Sequence, residues 1–140
     1  MTLFILDVWH TLKLGKDNTK KNEENAMTVR NVSNEELMRL IENTPDLQLV
    51  DVRTPAEIAE TGYIAGSLTL PVQEIEQWAS TLSLKHPIAF MCRGGVRSLY
   101  ACDYMQNVMK MDTANVPLYN LEHGMSHWNG DVVFPTEEAI

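Results

Sequence analysis

From residue 33 onward the chain alternates between two hydrophobic periods, and that alternation restricts the fold more than any other feature. Short apolar runs occur at LQLVDV (47–52, bounded by Pro45 and Pro55), SLTLPV (67–72), PIAFM (87–91) and VPLYNL (116–121), lengths that suit buried strands. Around and between them lie SNEELMRLIEN (33–43), PAEIAET (55–61), VQEIEQWASTL (72–82) and VRSLYACDYMQNVMKM (96–111), with apolar residues at helical spacing and few β-branched side chains. Ser33 with Glu36 three residues later opens the first of these helices as a capping box would. Strands separated by helices need crossover connections, so the pattern predicts an α/β fold: a mostly parallel sheet of about five strands with helices on both faces. In such sheets ligands and catalytic groups gather beyond the carboxyl ends of the strands.

A chain of 140 residues fits one domain with a real core. Net charge is −8; residues 1–27 hold four acids and four bases, leaving fifteen acids against seven bases in the remainder. No basic stripe is present, so nucleic acid is not an expected partner. Two cysteines, Cys92 and Cys102, are too few for a disulfide framework and suit a reducing compartment. The apolar start MTLFILDVWHTL lacks preceding basic residues, is interrupted by Asp7, is followed by no small-residue cleavage site and is too short to span a bilayer. A cytoplasmic protein without membrane contact is expected. The polar KLGKDNTKKNEEN that follows reads as a linker. The expected organisation is an N-terminal extension and linker over 1–26, partly disordered, a domain over 27–135 and a tail over 136–140. The stretch Leu3 to Leu14 reads as an added element resting on the domain or a non-native extension, with a docking peptide as the sharper alternative.

The chemistry concentrates in AFMCRGGVRSLYA (89–101). If PIAFM is a strand and a helix begins near Val96 to Ser98, then Cys92, Arg93, Gly94, Gly95, Val96 and Arg97 form the strand-to-helix loop. Its glycines let backbone N–H groups turn around one point, and the helix N-terminus adds its positive end, a combination that favours an anion. Arg93 and Arg97 contribute permanent charge. A thiol placed there is expected to be largely thiolate, which makes Cys92 the candidate nucleophile and the rest of the loop the candidate substrate cradle. Arg97 is expected with its guanidinium at the rim of that cradle, gripping an anionic substrate. Cys102 lies ten residues further on, inside the helix with Leu99 and Met105 three residues to either side, and reads as a packed core cysteine.

These residues resemble the rhodanese (sulfurtransferase) family. LQLVDVRTPAEIAETGYIAGSLTLP (47–71) is similar to the family's first signature, FMCRGGVRS (90–98) to its active-site loop, and LYNLEHGMSHW (118–128) to its closing strand, turn and helix. The departures are Tyr63 for the usual His, Ala65 for Pro, Ser67 for Ala, one extra residue before Gly62, and His123 in the first place of a usual Gly-Gly; the Tyr63 turn is expected near the pocket mouth. The resemblance implies that the Cys92 thiolate attacks the outer sulfur of an anionic donor such as thiosulfate, carries it as a persulfide and passes it to cyanide, a thiol or a thioredoxin-like protein. It implies no metal or organic cofactor. Arg93, Gly94, Gly95, Val96 and Arg97 would bind substrate, with Asp51, Arg53 and Ser98 in support.

Two rival readings use the same loop. Cysteine-dependent phosphatases and arsenate reductases hold an anion in a similar cradle, but phosphatases place five residues between Cys and Arg where this chain has four. A non-enzymatic sulfur-carrier or redox-sensing module would need only a reactive Cys92 with a resolving thiol nearby. Asp51 and Arg53, at a strand's carboxyl end, are expected to form an ion pair bracing the active-site loop or to touch substrate directly. Glu57 reads as a salt-bridge partner or helix cap. Trp78 and Trp128 read as packing anchors, and His86, His123 and His127 as surface residues without metal-ligand spacing.

Overall fold

A computed structural model of the chain describes residues 28–136. Five strands run β1 Val29–Val32, β2 Gln48–Asp51, β3 Leu68–Thr69, β4 Ile88–Met91 and β5 Leu118–Leu121, and four helices run α1 Asn34–Asn43, α2 Pro55–Thr61, α3 Ile75–Trp78 and α4 Val96–Asn107. The strands form one sheet in the order β1-β5-β4-β2-β3, and every pairing is parallel.

The alternation of side chains along each strand explains why the sheet is covered twice. Val50, Ile88, Phe90 and Leu118 point to one face and pack with Ile75, Trp78, Leu82, Ala101, Cys102 and Met105 from α3, α4 and the turn after α3. Leu49, Ala89, Met91 and Leu121 point to the other and pack with Leu37, Ile64 and the half-buried Leu40 and Trp128. The central strand β4 is buried along its whole length, which is why it reads as an unbroken apolar run. Helix α1 opens as expected, with Ser33 Oγ accepting the Glu36 N–H at 3.2 Å and Glu36 Oε1 accepting the Ser33 N–H at 2.9 Å.

Three sequence expectations change. Strand β1 was not anticipated. It lies at the sheet edge and pairs with β5, so only Val32 is fully buried while Arg30 and Asn31 face water. The segment 72–82 is not one helix but a 3-10 turn at Val72–Glu74, a single α turn at Ile75–Trp78 and a second 3-10 turn at Ala79–Thr81. There Thr81 Oγ1 donates to the Trp78 carbonyl at 2.6 Å. Helix α4 stops at Asn107, four residues short of Met111. Lys110 takes a left-handed backbone, φ 61°, and the Met111 N–H returns to the Met105 carbonyl at 3.0 Å, which folds buried Met111 back under the helix.

Met27, the extension and linker over 1–26 and the final residues 137–140 of the tail lie outside the described residues. Among the described residues no helix is long and apolar enough to cross a membrane.

Candidate active site

Strand β4 ends at Met91 and delivers Cys92, 1% exposed, beneath the first turn of α4. The helix has no side-chain N-cap; its cap residue is Gly95 at φ +98°, and the Gly95 N–H donates to Cys92 Sγ at 3.0 Å. The sulfur thus takes a backbone donor at the positive end of a twelve-residue helix. Only glycine fits at position 95, since a Cβ there would lie 2.3 Å from the Glu122 carbonyl oxygen. The loop is held by the segment after β5: the Met125 N–H donates to the Cys92 carbonyl at 2.8 Å and the Ser126 N–H to the Arg93 carbonyl at 3.0 Å. Gly124, φ +73°, makes that approach sterically feasible, for a Cβ would sit 2.2 Å from the Arg93 oxygen. Gly94 is different; a Cβ there meets nothing within 4 Å, so its side faces open space.

Behind the sulfur a polar chain runs from the core at Ser98 and Asn120 out to the exposed Asn31 on the edge strand. Ser98 Oγ is 3.3 Å from Cys92 Sγ and donates to Asn120 Oδ1. Asn120 Nδ2 in turn donates to Asn31 Oδ1 at 3.0 Å and, at 3.4 Å, to the Gly95 carbonyl. Ser98 and Asn120 are both buried, so each group depends on these partners.

The charged residues separate into three roles. Arg97, expected at the cradle rim, is committed to Glu57: its two terminal nitrogens donate to the two carboxylate oxygens, both at 2.8 Å. Glu57 also accepts the Thr54 N–H at 3.0 Å and returns its own N–H to Thr54 Oγ1, closing a capping box on α2. It is therefore both salt-bridge partner and cap. The Arg97 hydrogen bonds, assisted by Thr54 and opposed by burial, hold its carboxyl down at about 2, and the same pairing raises Arg97. Arg53 and Asp51 do form an ion pair, both fully buried, with Arg53 Nη2 donating to Asp51 Oδ2 at 2.7 Å. Arg53 also donates to Thr61 Oγ1 and the Gly62 carbonyl, each at 2.7 Å, so its side chain ties the end of β2 to the end of α2 rather than to the Cys92 loop. Arg93 is exposed and makes no side-chain hydrogen bond or ion pair among the described residues. It lines a cavity of about 140 Å³ with Arg53, Glu57, Glu60, Thr61, Met125 and Ser126.

This architecture has known counterparts. The sequence matches the family of rhodanese-like domains over residues 33–131. The chain belongs to that family. A sulfurtransferase of Allochromatium vinosum is 35% identical over 100 residues, 71% of this chain and 88% of the relative. The putative sulfurtransferase YtwF of Bacillus subtilis is 31% identical over 105 residues, 75% of this chain and 95% of the relative. Among solved structures, a rhodanese-like domain protein from Staphylococcus aureus superposes with a TM-score of 0.64 at 25% identity, covering 77% of this chain and all of that one.

The departures from the rhodanese pattern now have places. His123 is accommodated because its backbone is ordinary; of the two positions, only Gly124 requires the left-handed region. Tyr63 was expected near the pocket mouth. It exchanges backbone hydrogen bonds with Val133, both 2.8 Å, and lines a groove with Pro55, Ile58, Ser67 and Pro135 that shares Arg53 with the Arg93 cavity. Cys102 is fully buried with its thiol toward the Tyr119 carbonyl at 3.6 Å, and burial pushes that thiol far up, away from ionisation. Trp78 is core and Trp128 half-buried, while His86, His123 and His127 lie on the surface. Asn120 and Asn31 were missed by sequence reasoning. The signal was available: Asn120 sits two residues from Leu118, on the same face of a strand, and so had to be a buried polar group.

Proposed function

We propose that this rhodanese-like protein is a sulfurtransferase that moves sulfane sulfur from an anionic donor such as thiosulfate to a nucleophilic acceptor through a persulfide on Cys92. Family membership supports sulfur transfer in general; the thiosulfate donor and the persulfide step are what the resemblance implies, and the loop geometry is consistent with them. The observation that carries the reading is Cys92 Sγ accepting the Gly95 N–H at 3.0 Å at the start of α4, with Arg93, unpaired among the described residues, on the same clamped loop. Cys92 is the nucleophile. Its thiolate attacks the outer sulfur of the donor; a sulfur–sulfur bond forms to Cys92 as the donor's own sulfur–sulfur bond breaks, and sulfite leaves with the electron pair. The negative charge then rests on the terminal persulfide sulfur, in reach of the loop's N–H groups and the helix N-terminus. An acceptor nucleophile removes that sulfur and returns the thiolate.

Within this scheme Arg93 captures the donor and Arg97 holds the loop. A guanidinium already bound at both terminal nitrogens by Glu57 has little left to offer a second anion, whereas Arg93 lines the cavity without a partner among the described residues. The same commitment of Arg97 argues against phosphoryl chemistry, which needs that arginine to grip equatorial oxygens. Cyanide, a small thiol and a thioredoxin-like protein are the acceptors the chemistry admits, and the reaction calls for no metal or organic cofactor.

The test is thiosulfate:cyanide sulfur transfer in the parent, Cys92→Ser and Cys102→Ser. Activity is expected in the parent and in Cys102→Ser and lost in Cys92→Ser, with negligible hydrolysis of an aryl phosphate in all three. Transfer that survives Cys92→Ser, or phosphatase activity exceeding transfer in the parent, overturns the proposal.

A further inference from the structure

The chain of contacts running from Cys92 through Ser98 and Asn120 to Asn31 assigns a proton. A backbone carbonyl can only accept, so the Asn120 side chain must turn its Nδ2 toward the Gly95 oxygen and its Oδ1 toward Ser98. Ser98 has one hydroxyl proton, and Asn120 Oδ1 takes it. What Ser98 then presents to Cys92 Sγ at 3.3 Å is a lone pair. A thiol satisfies that lone pair by donating its S–H. A thiolate cannot, and can gain the Ser98 hydroxyl as a donor only if that group rotates away and leaves the buried Asn120 oxygen without a proton.

We infer that Asn120 is a positioning residue that acts through Ser98 to bias Cys92 Sγ towards its protonated form, against the opposite pull of the Gly95 N–H and the α4 N-terminus. The arrangement opposes negative charge on Sγ itself. It does not oppose a persulfide, in which Sγ is neutral and the charge has moved to the outer sulfur. The network therefore favours the two states in which Cys92 is protected or loaded over the bare thiolate between them, which is also the form most open to oxidation. The titratable and charged groups on the elements packed around Cys92 are Arg97, Cys102 and Asp103 on α4, Glu57 on α2 paired to Arg97, Arg93 on its own loop, the Asp51–Arg53 pair at the end of β2, and Glu122 and His123 beyond β5. None of them hydrogen-bonds to Ser98 or Asn120. They set a background that substitution at Asn120 leaves in place.

This inference concerns the reactive sulfur of the proposed function, but its test uses no sulfur donor, so failure of sulfur transfer and failure of the network are separate results. Thiolate ultraviolet absorbance is followed against pH in a Cys102→Ser background, where Cys92 is the one thiol present. Asn120→Leu, similar in volume and unable to accept, frees the Ser98 hydroxyl to donate to the thiolate. The ionisation midpoint is expected to fall by about one pH unit, roughly tenfold in the ionisation constant. Adding Ser98→Ala is expected to abolish the difference between Asn and Leu at position 120. Should Asn120→Leu fail to fold, Asn120→Ala makes the same comparison. An unchanged midpoint, a rise, or a fall that persists without the Ser98 hydroxyl overturns the inference.

Discussion

Replacing Glu57 by glutamine removes the charge that holds Arg97. Glutamine keeps an oxygen for the Thr54 N–H, so the cap on α2 survives; what is lost is the ionic grip between two residues forty positions apart in sequence, together with the acceptor for Arg97 Nη2, where an NH2 now stands. The carboxyl is held at about 2 against an ordinary 4.5. Taken in full, that difference is worth about 3 kcal/mol. About a quarter of the Glu57 side chain and a third of the Arg97 side chain remain in water, and solvent screening reduces the expected contribution to about 1–2 kcal/mol. Because the folded-state value is depressed, the stabilisation is fully present above about pH 4.5 and is lost as pH falls towards 2. Urea denaturation at pH 7 should therefore show Glu57→Gln less stable than the parent by that amount, and at pH 3 the gap should shrink to less than half. Equal stability at pH 7, or a gap that stays constant down to pH 3, would refute the assignment of Arg97 to Glu57 as a stabilising pair.

Four further variants test the cavity and the loop. Arg93→Ala should raise the half-saturating concentration of thiosulfate roughly tenfold while leaving the urea midpoint unchanged, and Glu60→Gln, which removes an exposed carboxylate from the same wall, should lower it a few-fold; donor saturation curves read both. Gly95→Ala should cost more than about 2 kcal/mol and abolish transfer, because its Cβ meets the Glu122 carbonyl at positive φ, whereas Gly94→Ala should stay within about 0.5 kcal/mol of the parent in denaturation.

The contrast between what was legible in the sequence and what was not has a physical basis. Strands β2, β4 and β5 stand out because burial on both faces makes them nearly continuous in apolar residues; β1, an edge strand with Arg30 and Asn31 in water, leaves too faint a pattern. The helical spacing of Ile75, Trp78, Ala79 and Leu82 is real, since all four pack on one face of the sheet, yet their backbone alternates between α and 3-10 turns. Periodicity reports which side meets the core, not which carbonyl each N–H finds. The Cys92 loop could be read locally because its glycines, arginines and helix start are contiguous. The partner of Arg97 could not, since Glu57 reaches it only after β3, α3 and β4 have been laid down between them, and no spacing rule connects α2 to α4. Asn120 falls between these cases: its register with Leu118 marks it as buried, but its link to Ser98 depends on α4 crossing β5.

Whether Cys92 carries the transferred sulfur is read by intact-protein and peptide mass spectrometry after thiosulfate treatment. A gain of one sulfur atom is expected on the peptide containing Cys92, removed again by cyanide, with no gain on the peptide containing Cys102 where the two are separated by proteolysis. A protein that turns over thiosulfate without ever carrying the extra sulfur on Cys92, or that carries it on Cys102, would overturn the persulfide mechanism.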